Sequence, residues 1–252
     1  MKYLLNVAYK GTNYAGWQRQ ENANTIQEEV EKALSRLYKE PVTVIGASRT
    51  DAGVHALSQK CVFNVGRANI PTGKLPYALN SQLPPDISIT EAKEVTYDFH
   101  PIFAAKSKTY IYQIYNSEFR NPLFSDTFWH VYKKLDIERM KEAAAYFMGE
   151  HDFSAFCAAG GSTKTSVRII NSAKVYEKDK GIVFFEVNGN GFLYNMVRIM
   201  TGTLVYVGLG KIMSSSLPVI IDSKDRTKAG ITAPPQGLCL KEVYYYSNTA
   251  SI

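Results

Sequence analysis

The order of strand and helix patterns is the same in the two halves of the chain, and this repeat limits the possible folds more than any other feature. Residues 2–9 alternate apolar and polar side chains, which predicts a strand, because successive side chains of a strand point to opposite faces. Thr25 and Glu28 then form a capping-box pattern at the start of a helix that ends before Pro41. The first half is predicted to contain strands over 2–9, 42–45, 60–65 and 87–95, with a second helix over 75–83.

The second half repeats this order. Its pattern predicts strands over 108–115, 167–176, 182–188 and 238–246, and helices over 136–148 and 192–207. Each half therefore reads as a split β-α-β, or ferredoxin-like, unit. We predict an α+β fold whose two halves form a mixed or antiparallel central sheet with flanking helices and a cleft. The expected subdomains are residues 1–103 and residues 104–252, the second completing the cleft.

The stretch over residues 46–56, Gly-Ala-Ser-Arg-Thr-Asp-Ala-Gly-Val-His-Ala, follows a β-branched strand and carries the candidate chemistry. Gly53 permits a backbone conformation that other residues resist. If the chain is still extended at Arg49, then Arg49 and Asp51 project to the same side, and the guanidinium keeps the carboxylate ionised and oriented. An ionised aspartate can act as a nucleophile without a separate base. Spacing alone favours a simpler alternative, an ordinary strand-end turn with a surface ion pair.

Composition narrows the class of protein. A net charge of +6 and a pI near 9.0 suit a polyanionic partner, and 17 Tyr and 12 Phe include rings that can stack on unpaired bases. The three cysteines are far apart and odd in number, which argues against a disulfide framework and a zinc site and fits a reducing, cytoplasmic location. The most apolar stretch, residues 192–209, contains Asn195 and Arg198, so it predicts a buried helix and no membrane association.

Sequence motifs for cofactors are incomplete. The segment ending in Gly208-Leu209-Gly210-Lys211 has Val205 where a phosphate-binding loop needs its first glycine, and residues 189–194 lack the third glycine of a dinucleotide fingerprint. The histidines show no helical metal-ligand spacing, so we expect them to be structural; they are His55, His100, His130 and His151. We therefore predict no cofactor and no metal.

Residues 48–56, Ser-Arg-Thr-Asp-Ala-Gly-Val-His-Ala, resemble the signature of the tRNA pseudouridine synthase A (TruA) family. Further blocks that resemble the family occur in the same order nearly end to end. They are residues 9–18, 108–112, 149–154, 192–202 and 234–238.

The resemblance implies specific roles for individual residues. Asp51 matches the catalytic aspartate, and Tyr110 matches a tyrosine that contacts the target uridine, although its place in an aromatic strand also fits plain core packing. Arg198 lies in an apolar helix, where an unpaired guanidinium is costly, and the resemblance assigns it to Asp51. Leu238 matches an apolar residue near the base. Arg49 is a further substrate-binding candidate. The candidates for contacts with the RNA backbone are Lys106, Lys108, Lys164 and Arg168.

The activity that the resemblance implies is isomerisation of uridine to pseudouridine at positions 38, 39 and 40 of the tRNA anticodon stem-loop. The family acts as a homodimer on tRNA, so a homodimer is expected here. Two alternatives remain: the same chemistry on a different RNA, and a non-catalytic RNA-binding protein on the same fold. The second alternative does not account for a carboxylate facing an RNA groove, where negative charge repels phosphate.

Overall fold

A computed structural model of the chain describes residues 1–67, 70–161 and 163–245. The strands are β1 Lys2–Tyr9, β2 Val44–Gly46, β3 His55–Asn64, β4 Ile87–Val95, β5 Ala105–Asn116, β6 Trp129–Val131, β7 Gly149–Asp152, β8 Val167–Asp179, β9 Ile182–Gly189 and β10 Leu238–Tyr245. The α-helices are α1 Ile26–Tyr38, α2 Leu75–Asn80, α3 Ile137–Ala145, α4 Met196–Gly208 and α5 Leu217–Ser223. The chain groups into two compact units: one is Met1–Lys106 with the segment from Leu240 onward, and the other is Ser107–Cys239.

The first unit has the strand order expected of a split β-α-β unit. β1 lies between β4 and β3 and is antiparallel to both, while β2 and β10 pair with β3. The alternation predicted for β1 is confirmed, because Tyr3, Leu5 and Val7 are fully buried. Thr25 caps α1 by accepting a hydrogen bond from the backbone N–H of Glu28 at 3.4 Å, as the capping-box pattern predicts.

Three elements in this unit have boundaries that differ from the prediction, and one of them, α2, ends at Asn80 and not at residue 83. β2 is only three residues long, because the N–H of Val42 donates to the Ser35 hydroxyl of α1 at 3.0 Å and is not available to a strand ladder. β3 begins at His55 and not at Lys60, because its pairing with β1 continues to Tyr9 opposite Ala56. His55 and Ala56 therefore belong to the strand that leaves the Asp51 loop.

The second unit is also α+β, with β5, β9, β8 and β7 antiparallel in that order and β6 parallel beside β5. Its fully buried side chains include Tyr112, Phe147, Phe156 and Phe185. The α+β fold class predicted from the sequence is confirmed. The short elements β6, β7 and α5 were not predicted, since three to seven residues carry too little periodicity to be recognised.

The start of one predicted helix needs correction. The helix predicted over 192–207 begins only at Met196, because Asn195 has a left-handed backbone conformation with φ 59°. β10 forms where the last strand was predicted and pairs with β3, and its residues from Leu240 onward group with the first unit. Tyr246, the last residue of the predicted strand, lies outside the described residues.

Within the described ranges, no helix combines the length and the apolar character that crossing a bilayer requires.

Candidate active site

Asp51 lies in the loop between β2 and β3. The loop leaves the sheet after Gly46, and a backbone hydrogen bond from Val54 N to Asp51 O at 3.1 Å closes a turn over residues 51–54. Gly53 in this turn has φ +77°, the conformation expected from its position in the sequence. The Asp51 side chain is half-buried. The turn therefore presents a partly accessible carboxylate on a fixed backbone.

The N-terminal segment 9–17 holds this loop. The N–H of Trp17 donates to the carbonyl of Thr50 at 3.0 Å, and the N–H of Gly53 donates to the carbonyl of Tyr14 at 3.2 Å. The hydroxyl groups of Tyr9 and Thr50 lie 2.7 Å apart and are hydrogen-bonded in a buried position. Two blocks that are more than thirty residues apart in the sequence thus form one structural unit around Asp51.

Gly16 and His55 show how closely the segment and the loop pack. Gly16 has φ +99°, and a Cβ at this position would lie 2.5 Å from the carbonyl oxygen of Thr50. His55 is 6% exposed, and its Nδ1 accepts a hydrogen bond from the backbone N–H of Gly11 at 2.9 Å. Nδ1 must therefore be unprotonated in this arrangement. The contact fits the structural role expected for His55.

Arg49 takes a different place from the one that an extended chain predicts. Residues 47–54 are not in a strand, and the Arg49 side chain is exposed. Within the described residues, it makes no hydrogen bond or ion pair. The neighbouring Ser48 is buried, and its carbonyl accepts a hydrogen bond from Gln59 Nε2 at 2.6 Å. An ion pair between Arg49 and Asp51 therefore does not orient the carboxylate; the backbone contacts described above hold the loop that carries it.

Arg198 lies in the first turn of α4, in the second unit, and is half-buried. Its Nε donates to the carbonyl of Ala233 at 2.7 Å, and its Nη1 donates to Oδ1 of Asn195 at 2.7 Å. The N–H of Ala233 in turn donates to the carbonyl of Arg198 at 3.1 Å. The acceptors of these two guanidinium hydrogen bonds are both neutral oxygens.

The aromatic and apolar candidates of the second unit are buried. Tyr110 is 7% exposed, and its ring meets that of Phe192 edge-on at 5.1 Å between centroids. Tyr112 faces the same side of β5, as alternation predicts, and its hydroxyl donates to the carbonyl of Pro234 at 2.6 Å. Burial raises the pKa of Tyr112. Leu238, a few residues beyond Pro234, is 6% exposed.

The basic candidates have different environments. Lys106 and Lys164 are exposed, so their ammonium groups can reach a polyanion. Lys108 is half-buried, and burial lowers the pKa of its amine to about 8. Arg168 turns its guanidinium back onto its own chain, where Nη1 donates to the carbonyl of Thr165 at 2.9 Å.

The described part of the chain holds no group of three or more His, Cys, Asp or Glu side chains arranged to bind a metal ion. All three cysteines are free thiols.

Comparison with known proteins covers nearly the whole chain. Residues 6–104 and 143–246 match the family described as tRNA pseudouridine synthase. The chain is 53% identical over 241 residues to tRNA pseudouridine synthase A of Acetivibrio thermocellus, covering 96% of this chain and 98% of that protein. It is 51% identical over 242 residues to the protein of the same name from Thermoanaerobacter sp., covering 96% and 98%. It is 50% identical over 244 residues to the protein of the same name from Ruminiclostridium cellulolyticum, covering 97% of this chain and 99% of that protein.

One solved structure that is similar to the chain is described as H/ACA RNP bound to a substrate RNA containing 2′-deoxyuridine. The identity is 9% and the TM-score 0.42, and the match spans 82% of this chain and 43% of that chain. The family match over residues 6–104 contains Asp51 and the segment 9–17 that holds its loop. The match over residues 143–246 contains Arg198 and Leu238. Tyr110 lies between the two matched ranges.

Proposed function

The chain belongs to the tRNA pseudouridine synthase A family, and we propose that its target uridines lie in the anticodon stem-loop of tRNA, at positions 38, 39 and 40. The protein is an isomerase that converts uridine to pseudouridine in tRNA. The similarity to synthases over 96% of the chain is the observation that supports this function most strongly. The anticodon positions are carried over from the resemblance of residues 48–56 to the family signature.

Asp51 is the proposed nucleophile. Isomerisation breaks the N1–C1′ glycosidic bond, turns the uracil and rejoins it through C5, so the atoms of the nucleotide are conserved and no redox partner or cosubstrate is consumed. A carboxylate suits this reaction, because it is ionised at neutral pH and needs no separate base. The backbone hydrogen bonds from segment 9–17 fix the loop, so that the carboxylate does not need to be ordered when the substrate arrives.

The proposed substrate contacts follow the residues named from the sequence. The target nucleotide must leave its stack before a protein side chain can reach its sugar or base. Tyr110 and Leu238 then contact the uracil, Arg198 pairs with the Asp51 carboxylate, and Arg49 binds the RNA. The residues proposed to contact the RNA backbone are Lys106, Lys108, Lys164 and Arg168.

We also propose that the protein is a homodimer in the cytoplasm. Three free thiols fit a reducing compartment. The dimer is carried over from the family. Light scattering of the purified protein, alone and with tRNA, measures the mass directly, and a monomeric mass in both samples would contradict the dimer.

The experiment that tests the function compares Asp51→Asn with wild type on unmodified tRNA. Asparagine keeps nearly the same size and removes the charge, so the loop should fold while the nucleophile is lost. Asp179→Asn is the matched control, because Asp179 is an exposed carboxylate at the turn between β8 and β9. Pseudouridine is mapped by sequencing chemistry, and tRNA affinity is measured by titration.

We expect wild type and Asp179→Asn to modify the anticodon arm without any added cofactor, and Asp51→Asn to bind tRNA without modifying it. A near wild-type rate for Asp51→Asn would exclude Asp51 as the nucleophile. Modification outside positions 38–40 would support the same chemistry on a different target. If wild type binds tRNA and modifies no RNA, the protein is a binding protein.

A further inference from the structure

Asn195 has an unusual backbone at the residue that precedes α4. Its φ of 59° and ψ of 8° are left-handed, a conformation that non-glycine residues seldom adopt and that asparagine tolerates better than most. An asparagine at this position commonly caps a helix with its side-chain oxygen, yet the Asn195 side chain makes no such hydrogen bond. The residue thus accepts an unfavourable backbone without capping the helix.

The Asn195 side chain instead contacts Arg198. Its Oδ1 accepts from Arg198 Nη1 at 2.7 Å, while the Ala233 carbonyl accepts from Nε at 2.7 Å. Two acceptors at different nitrogens fix the plane of the guanidinium. The Ala233 carbonyl is itself held, because the N–H of Ala233 donates to Arg198 O and the next carbonyl, that of Pro234, accepts from the Tyr112 hydroxyl.

Both acceptors are neutral, so they orient the guanidinium without neutralising it. A carboxylate in the place of Asn195 would hold Arg198 equally well and would compensate its positive charge. An amide leaves that charge for an anionic group outside this network. Strained backbone conformations are common at active sites, where they orient functional side chains.

We propose that Asn195 is a positioning residue for the isomerase reaction, acting through Arg198. The left-handed backbone turns the amide away from the helix N-terminus and towards the guanidinium, and the amide fixes Arg198 while preserving its charge. The inference rests on the proposed role of Arg198 opposite the Asp51 carboxylate. Sequence reasoning missed this role, and the only available signal was a polar residue three positions before Arg198 in an apolar stretch.

The test separates the backbone of Asn195 from its side chain. Asn195→Gly keeps the left-handed conformation and removes the acceptor. Asn22→Gly is the matched control, since Asn22 also has a left-handed backbone, with φ 61°. We expect Asn195→Gly to lower kcat by about 10- to 100-fold, the range for one lost hydrogen bond to a charged group, with little change in KM or melting temperature. Asn22→Gly should keep the wild-type kcat.

A second comparison shows whether Asn195 acts through Arg198. Adding Asn195→Gly to Arg198→Ala should cause no further loss of kcat, and NMR should show faster hydrogen exchange of the Arg198 Nη protons in Asn195→Gly. A wild-type kcat for Asn195→Gly, beside an impaired Arg198→Ala, would overturn this inference alone. A full additional loss in the double variant would also overturn it, by assigning Asn195 an independent role. A wild-type kcat for Arg198→Ala would overturn the proposed role of Arg198 and this inference together.

Discussion

Gly16→Ala is the change that tests most directly whether segment 9–17 positions Asp51. At φ +99° an alanine is strained by about 1–3 kcal/mol. Its Cβ would also lie 2.5 Å from Thr50 O and 3.1 Å from Asp51 C, which are backbone atoms that cannot rotate away. Relieving such an overlap costs about 1–3 kcal/mol more. The free energy of unfolding should therefore fall by about 2–6 kcal/mol, out of a total that is typically about 5–15 kcal/mol.

The control for this change is Gly210→Ala. Gly210 has φ +71°, but a Cβ there meets no atom within 4 Å, so the variant carries the backbone strain without the overlap. Denaturant unfolding should show a clearly larger loss for Gly16→Ala than for Gly210→Ala. Because the overlap displaces the backbone that carries Asp51, the modification rate of the folded Gly16→Ala protein should fall by more than about tenfold. Equal unfolding free energies for the two variants, with a wild-type rate for Gly16→Ala, would refute the argument.

Three further predictions concern other residues. Tyr110→Phe should lower the single-turnover rate by about 100-fold if the hydroxyl handles a proton, with tRNA affinity unchanged because the ring remains; an unchanged rate would leave Tyr110 as a packing surface only. Glu31 is 5% exposed and accepts from Val44 N at 3.0 Å, so Glu31→Ala should cost about 2–4 kcal/mol in denaturant unfolding, whereas the exposed Glu40→Ala should cost almost nothing. Burial lowers the pKa of the Lys108 amine from 10.5 to about 8. Between pH 8 and 10.5 the unfolded chain therefore binds more protons at Lys108 than the folded chain does, so the contribution of Lys108 to stability rises with pH. The free energy of unfolding of wild type and of Lys108→Met should be measured from pH 7 to 10. The value for wild type should rise relative to the value for Lys108→Met as the pH rises. A difference between the two that does not change with pH would contradict the burial of the amine.

The parts of the fold that follow from local sequence were predictable. The alternation of residues 2–9 fixes which face of β1 is buried, and the Thr25–Glu28 pattern fixes where α1 begins. The short β2 was not predictable, because its length depends on where the Val42 N–H finds a partner, and that partner is a side chain of the preceding helix. The pairing of β10 with β3 is a long-range contact that periodicity cannot reveal.

The sequence indicates candidate residues for the site but not the contacts that hold them. Resemblance named Asp51, Tyr110 and Arg198, but the hydrogen bonds that hold the Asp51 loop and the Arg198 guanidinium are made largely by backbone atoms. Thr50 O, Tyr14 O and Ala233 O accept through groups that every residue carries, so no side-chain pattern in the sequence indicates them.

This use of backbone atoms has a consequence for how the two units tolerate substitution. The loop of Asp51 is held by a segment far away in the sequence, and Arg198 is held by the carbonyl of Ala233, so most side-chain changes in either support leave the hydrogen bonds intact. Sensitive positions should be those where the backbone itself is constrained, such as Gly16 with its positive φ, or where a side chain is the acceptor, such as Asn195. Saturation mutagenesis of residues 9–17 and 230–234 should therefore show activity lost mainly at glycines and at buried hydrogen-bonding side chains. Uniform sensitivity along these segments would mean that their side chains, and not their backbone, position the reacting groups.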